Sequence, residues 1–317
     1  ERMATEHHEF TVDEDLLQHL PHAVRMYEEP FADAAGFATY FLSSLARRDV
    51  TVALSGEGGD EAFAGYHHYT HGLRLRRLLG LPAALRHGLA RALAVSAHLL
   101  PARARARTGL LASVLHAPSA AWYTEMNAAM PWYVRRALAP FQLPDQAAAA
   151  AYARTLQQPR QRAFLDAMTY ADVHTYLPYC LNVKVDIASM QHALEVRCPF
   201  LDHTVLEYAA RLPAAYRWQD GIGKRILKEV ARRYYPDDFV FRTKQGFGVP
   251  YAGWLAAPQG QFLREAVADL ARQYPEVFPP RAIDTLLRQH AQEGRYAHQV
   301  WILALLGVWL ATFHRGG

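Results

Sequence analysis

The run Val50-Thr51-Val52-Ala53-Leu54, followed at once by Ser55-Gly56-Glu57-Gly58-Gly59-Asp60-Glu61, constrains this chain more than any other stretch. Its first half is short, apolar and rich in β-branched residues, which predicts a strand buried on both faces. Its second half packs three glycines and three carboxylates into seven residues. A strand ending in a glycine-rich loop is where open α/β sheets hold ligands, beyond the carboxyl ends of the strands. Three adjacent acids repel one another, so the loop calls for a cation, a basic ligand or a lysine from elsewhere. A tight acidic turn that only caps a helix is the alternative.

The flanking pattern fits a parallel sheet with crossover helices. Residues 7 to 12 read as a short edge strand, and Thr11 with Glu14 forms a capping-box pattern for a helix through Leu16, Leu17 and Leu20. Pro21 starts or kinks the next helix, and Asp33 leads into one from about Ala34 to Arg48. From about Thr70 to Arg162 the chain turns rich in Ala, Leu and Arg, as in Leu73-Arg74-Leu75-Arg76-Arg77-Leu78-Leu79. Amphipathic helices with arginines on the wet side are expected there, as a helical insertion. Asp202 is placed to cap a helix carrying Val205, Leu206 and Ala209, and Val300 to Phe313 reads as an apolar packing helix. No repeat or low-complexity linker interrupts the 317 residues, so a single domain is expected.

Composition narrows the function. The formal charge is +4, but the arginines are scattered and no block of five or six basic residues occurs, so nucleic-acid binding is not expected. A basic arm over Leu73 to Arg107 is the alternative reading of that segment. The two cysteines, Cys180 and Cys198, form no disulfide framework and no metal-type spacing. With no secretory signal at the start and no long uncharged apolar run, a cytoplasmic protein off the membrane is expected. The first residue is Glu1, so a fragment of a longer product is also expected.

Gly56-x-Gly58-x-x-Glu61 is not a dinucleotide fingerprint, because an acid occupies the third glycine position. A Walker A sequence and a GxSxG elbow are both absent. The loop's backbone N–H groups still suit phosphate or carboxylate oxygens. Glu57, Asp60 and Glu61 suit Mg²⁺, which takes one or two carboxylates plus substrate phosphates. Lys244, in the glycine-flanked loop Arg242 to Pro250, suits a developing anion.

Four stretches carry a resemblance: SGEGGDEAFAGY (Ser55 to Tyr66), KVDIASMQHALEVRCPFLDH (Lys184 to His203), GIGKRILKEVA (Gly221 to Ala231) and RTKQGFGVPYAGWL (Arg242 to Leu255). Together with EEPFAD (Glu28 to Asp33), they resemble the synthetase domain of glutamine-hydrolysing asparagine synthetase. The resemblance implies an ATP-pyrophosphatase-like (adenine nucleotide alpha-hydrolase-like) α/β domain, a parallel sheet among many helices. It implies a ligase that adenylates a carboxylate with ATP and Mg²⁺, then admits ammonia from a glutaminase domain in cis or in trans to form an amide. By position, Ser55 and Gly56 would lie against the nucleotide, Glu57 and Lys244 at the reacting centre, and Asp60 on magnesium. Glu61, Arg197 and Lys184 are further substrate-binding candidates. Partners are therefore small molecules, with a homodimer left open.

Two departures stand out. Ile187 occupies a position that is commonly basic in the family's KxDRxSM pattern, and no Ser-Gly-Gly-x-Asp-Ser pyrophosphate loop or Cys-initiated glutaminase domain occurs in these residues. An inactive fragment, or an interaction protein that keeps the fold, is the alternative function.

Overall fold

Strand β1, Val52–Leu54, pairs in parallel with β2, Glu195–Arg197, in the register Val52 to Glu195 and Leu54 to Arg197. The ladder runs one residue further, where Ser55 N–H donates to the Arg197 carbonyl at 2.8 Å. This computed structural model describes residues 5–9, 14–117, 121–131, 134–135, 154–156, 163–243, 246–294 and 296–314. Among them, helices dominate, and the parallel sheet has just these two strands.

The strand forms where expected but is not buried on both faces. Val52 is 39% exposed and Leu54 75%, while only Ala53 between them is partly covered. A continuous apolar run needs layers on both sides to bury it. Here β1 has one strand neighbour among the described residues. Residues 7–9 carry no strand, and Thr11 lies outside the described residues.

Other local signals match. Pro21 sits in the first turn of helix Leu20–Tyr27. The Asp33 carboxylate caps helix Ala34–Ala46 by accepting from Ala35 N–H at 2.9 Å. Asp202 does the same for helix His203–Arg211, accepting from Thr204 N–H at 2.8 Å.

The largest core forms around helix Ala297–Phe313, apolar on every side and therefore buried. Trp301 and Val300 are fully buried, and the helix packs on Leu20–Tyr27, Tyr251–Ala256, Gln261–Gln273 and Pro280–Glu293. Gly307 lets it close on Gln261–Gln273, because a Cβ there would press on the Ala266 carbonyl. A second core, with Tyr69, Trp122, Tyr123, Leu165 and Met168, joins helices His67–Leu79, Trp122–Asn127 and Phe164–His174.

The Ala/Leu/Arg segment is helical over His67–Leu79, Ala83–Ser96 and Ala102–His116, and residues 136–153 and 157–162 lie outside the described set. Arg74, Arg76, Arg77 and Arg91 face water as expected. Arg86 does not: it is buried, while Leu85 and Val95 on the same helix are exposed. Alanines and leucines surround that helix, so no single face is marked as the inside. No described helix is long and apolar enough to cross a membrane.

Candidate active site

Beyond the ends of β1 and β2, the chain makes one tight turn. Gly58 adopts φ +85°, and a Cβ there would strike the Leu201 side chain, so glycine is required on both counts. The turn feeds the short helix Gly59–Ala62, with Gly59 N–H donating to the Gly56 carbonyl at 3.2 Å. Glu57 and Asp60 are half-buried at this turn, and Gly56 is exposed.

Two lysines from distant segments answer the carboxylates. Lys184, buried on helix Val183–Met190, places Nζ 3.3 Å from Asp33 Oδ2. Its own carbonyl accepts the Tyr27 hydroxyl at 3.2 Å. Lys224 places Nζ 3.1 Å from Asp60 Oδ1. Glu57 lies within electrostatic reach of both lysines, of Asp60 and of Asp33. Burial raises its pKa and the two carboxylates add to that, while Lys184 and Lys224 pull it down. The thiols of Cys180 and Cys198 complete the surroundings. Cys180 lies 3.9 Å from Asp33 Oδ2, and burial pushes its pKa up to about 12, so it stays a thiol. From the C-terminal helix, His298 comes within reach of Asp33 and near the Tyr251 ring, with burial lowering the imidazole pKa.

Lys224 is delivered by main-chain contact. Trp218–Gln219 and Ile222–Gly223 form a hairpin whose turn, Asp220-Gly221, has φ 54° and 87°, the Asp-Gly signature of a type I′ turn. Gly223 lies flat against the Ala64 carbonyl, where a Cβ would collide, and Lys224 N–H donates to the Phe63 carbonyl at 2.9 Å. Ala64 and Lys224 both hold left-handed conformations, φ 56° and 54°, a strain of about 1–2 kcal/mol each. Strained residues facing each other at a ligand loop are a recurring mark of function.

Behind the loop lies a buried polar layer. Glu61 is 1% exposed; one carboxylate oxygen accepts the Tyr66 hydroxyl, and the other has no hydrogen-bond partner among the described residues. Asp172, also 1% exposed, accepts on a single oxygen from the Tyr69 and Tyr123 hydroxyls, each at 2.6 Å, with His68 Nε2 at 3.0 Å. Burial is the largest influence on Glu61 and raises its pKa, against the pull of the Tyr66 hydrogen bond. A carboxyl whose pKa is higher in the folded than the unfolded state binds more protons when folded. It therefore costs stability as pH rises from the unfolded value through the folded one. Glu61→Gln is expected to stabilise the protein by about 1–3 kcal/mol at pH 8 and by less at pH 5. Thermal melts at the two pH values check this, and a gain independent of pH would contradict it.

The sequence candidates separate into groups. Ser55, Gly56, Glu57 and Asp60 lie together on the loop, and Lys184 reaches the same cluster. Arg197 is at the end of β2 but is exposed and bonded to Glu195 at 2.7 Å. Glu61 is enclosed in the polar layer, away from water. Lys244 lies outside the described residues. Sequence reasoning gave Asp33 and Lys224 no role at the site, although both stand inside the quoted stretches EEPFAD and GIGKR. The loop's surplus of acid was the available signal, because it required a lysine from elsewhere.

A glycine loop beyond parallel strand ends, with the buried Lys184 and the half-buried Lys224 each set against a carboxylate, defines a candidate α/β ligand site of closely paired charges. The asparagine synthase family model matches residues 1–314. The chain belongs to that family. It is 26% identical over 297 residues to the glutamine-hydrolysing asparagine synthetase 1 of Bacillus subtilis, covering 93% of this chain and 46% of that protein. It is 27% identical over 258 residues to asparagine synthetase 3 of the same organism, covering 78% of this chain and 34% of that protein. The glutamine-hydrolysing asparagine synthetase of Gallus gallus is 29% identical over 126 residues, 36% of this chain and 22% of that protein. The chain thus spans about half the length of the first of these relatives or less of the others.

Proposed function

We propose that this chain is the carboxylate-activating part of an ATP-dependent amidotransferase with an adenine-nucleotide alpha-hydrolase-like fold. A carboxylate, aspartate in the name-giving relatives, is adenylated with release of pyrophosphate. Ammonia derived from glutamine then displaces AMP, forming a C–N bond. The observation that carries this reading is the charge cluster itself: Glu57 between Asp33–Lys184 and Asp60–Lys224, at the ends of β1 and β2.

The chemistry follows from the cluster. Adenylation gathers negative charge on the transferred phosphoryl oxygens, and cations fixed beforehand lower that barrier without reorganising. Lys184 is buried and pre-positioned for that task, and Lys244 is proposed to join it. Ser55 and Gly56 would lie against the nucleotide, where the exposed Gly56 leaves the backbone open to close approach. Attack by ammonia releases a proton, and Glu57, with its pKa raised by burial, is suited to accept it. Among the described residues, no three metal-type side chains converge. Mg²⁺ would therefore rest on Asp60, on Glu57 at most in addition, and on substrate phosphates, the arrangement this ion favours.

ATP–pyrophosphate exchange tests the proposal. The 317 residues contain no Ser-Gly-Gly-x-Asp-Ser segment, so the chain by itself is expected to show negligible exchange. A longer form that includes such a segment is expected to exchange in the presence of its carboxylate. Vigorous exchange with aspartate by the 317-residue chain, or none by the longer form with any carboxylate, would overturn this assignment.

A further inference from the structure

Helices His67–Leu79, Ala102–His116 and Trp122–Asn127 border an open cleft of about 490 Å³. None of the charge-cluster residues lines it. Its volume falls in the range of small-molecule sites. Arg107, Leu110, Leu111 and Val114 recur at the spacing of one helical face and line it together, with Met126 opposite. Val114 is 1% exposed and makes the floor; Arg107 and His71 are exposed and stand at the rim.

The rim charge is unbalanced. Among the described residues, neither Arg107 nor His71 has an ion pair or hydrogen-bond partner. Between Glu61 and Glu125 the sequence contains eight arginines and not one acid. Glu125 itself is paired with Arg135. Although His71 is exposed, partial desolvation first and then the nearby Arg74, His67 and His68 lower its pKa. The cleft therefore offers one permanent cation over an apolar interior. A neutral imidazole beside it can still donate or accept one hydrogen bond.

We propose that this cleft is a binding site for a lipophilic monocarboxylate, the carboxylate on Arg107 and the hydrocarbon body on Leu110, Leu111 and Met126. The planar guanidinium pairs bidentately with a carboxylate. A phosphate or polyanion would call for more than one cation here, and a small hydrophilic acid would leave the leucine walls unfilled. Methionine adapts to ligand shape, so selectivity for the chain is expected to be broad.

Calorimetric titration with decanoate, below its micelle concentration and at neutral pH, tests the site. Decanoate is expected to bind saturably, with decanol at least about tenfold weaker. Arg107→Ala should weaken decanoate about tenfold or more, Arg107→Lys should recover part of the loss, and Leu111→Trp should block the cleft. Arg107 is exposed and has no ion pair among the described residues, so its replacement is expected to leave the fold intact even if Leu111→Trp does not. Absence of saturable decanoate binding, equal affinity for decanol, or unchanged affinity in Arg107→Ala would each overturn the proposal.

Discussion

Glu57→Gln, in a form of the protein that carries the rest of the enzyme, is expected to lower amide formation by about 10²–10⁴-fold. The substitution keeps the shape and removes the charge and the basicity. Glu57 is half-buried and already pushed towards its neutral form, so the folded state should tolerate the amide well. The loss should be the same whether glutamine or free ammonia is the nitrogen source, because the glutaminase is not involved. ATP–pyrophosphate exchange divides the role further. If Glu57 only accepts the proton of ammonia, exchange survives while amide formation falls. If it also shapes the adenylation step, both fall. Wild-type amide formation by Glu57→Gln would remove this residue from the reaction.

Asp172→Ala is expected to cost about 2–5 kcal/mol of folding stability. One oxygen of Asp172 satisfies the hydroxyls of Tyr69 and Tyr123, both fully buried, along with His68. Burial and the carboxylate raise the Tyr69 pKa well above the usual tyrosine value, so that hydroxyl remains a donor and must find an acceptor. Alanine removes the carboxylate oxygen that both hydroxyls share, in the middle of the second core. Asp172→Asn keeps an acceptor oxygen and should cost less than alanine. Denaturant unfolding measures the difference, and a change within 0.5 kcal/mol for alanine would show that the layer does not support the fold.

What could be read from the sequence was mostly local chemistry. Asp33 and Asp202 announced helix starts because a carboxylate one residue before a helix satisfies its free N–H groups. The strand before the glycine loop and the apolar helix at the end were legible from composition over a few residues. Burial was less legible. The same Val-Thr-Val-Ala-Leu run that predicts a covered strand leaves Leu54 largely exposed, since covering depends on layers that local sequence does not contain. Arg86 and Leu85 exchange their expected places for a similar reason. At the site, the loop's acids were visible but their partners were not. Lys224 lies far along the chain, and the contact of Gly223 with the Ala64 carbonyl and the bond of Lys224 N–H to the Phe63 carbonyl bring it across. The suitability of Asp60 for Mg²⁺ was legible in the acidic loop, whereas the expected place of Glu57 at the reacting centre came from the family resemblance alone.

The Asp60–Lys224 pair closes over the backbone of its own loop at Gly65. A Cβ at that position would occupy the space of Asp60 Oδ1 and Lys224 Cε together. The neutralisation of the acidic turn is therefore recorded in a residue with no charge and no side chain. Gly65→Ala would retain every ionisable group of the site yet unlatch its countercharge, so an inventory of acids and bases alone would miss the position on which their balance depends.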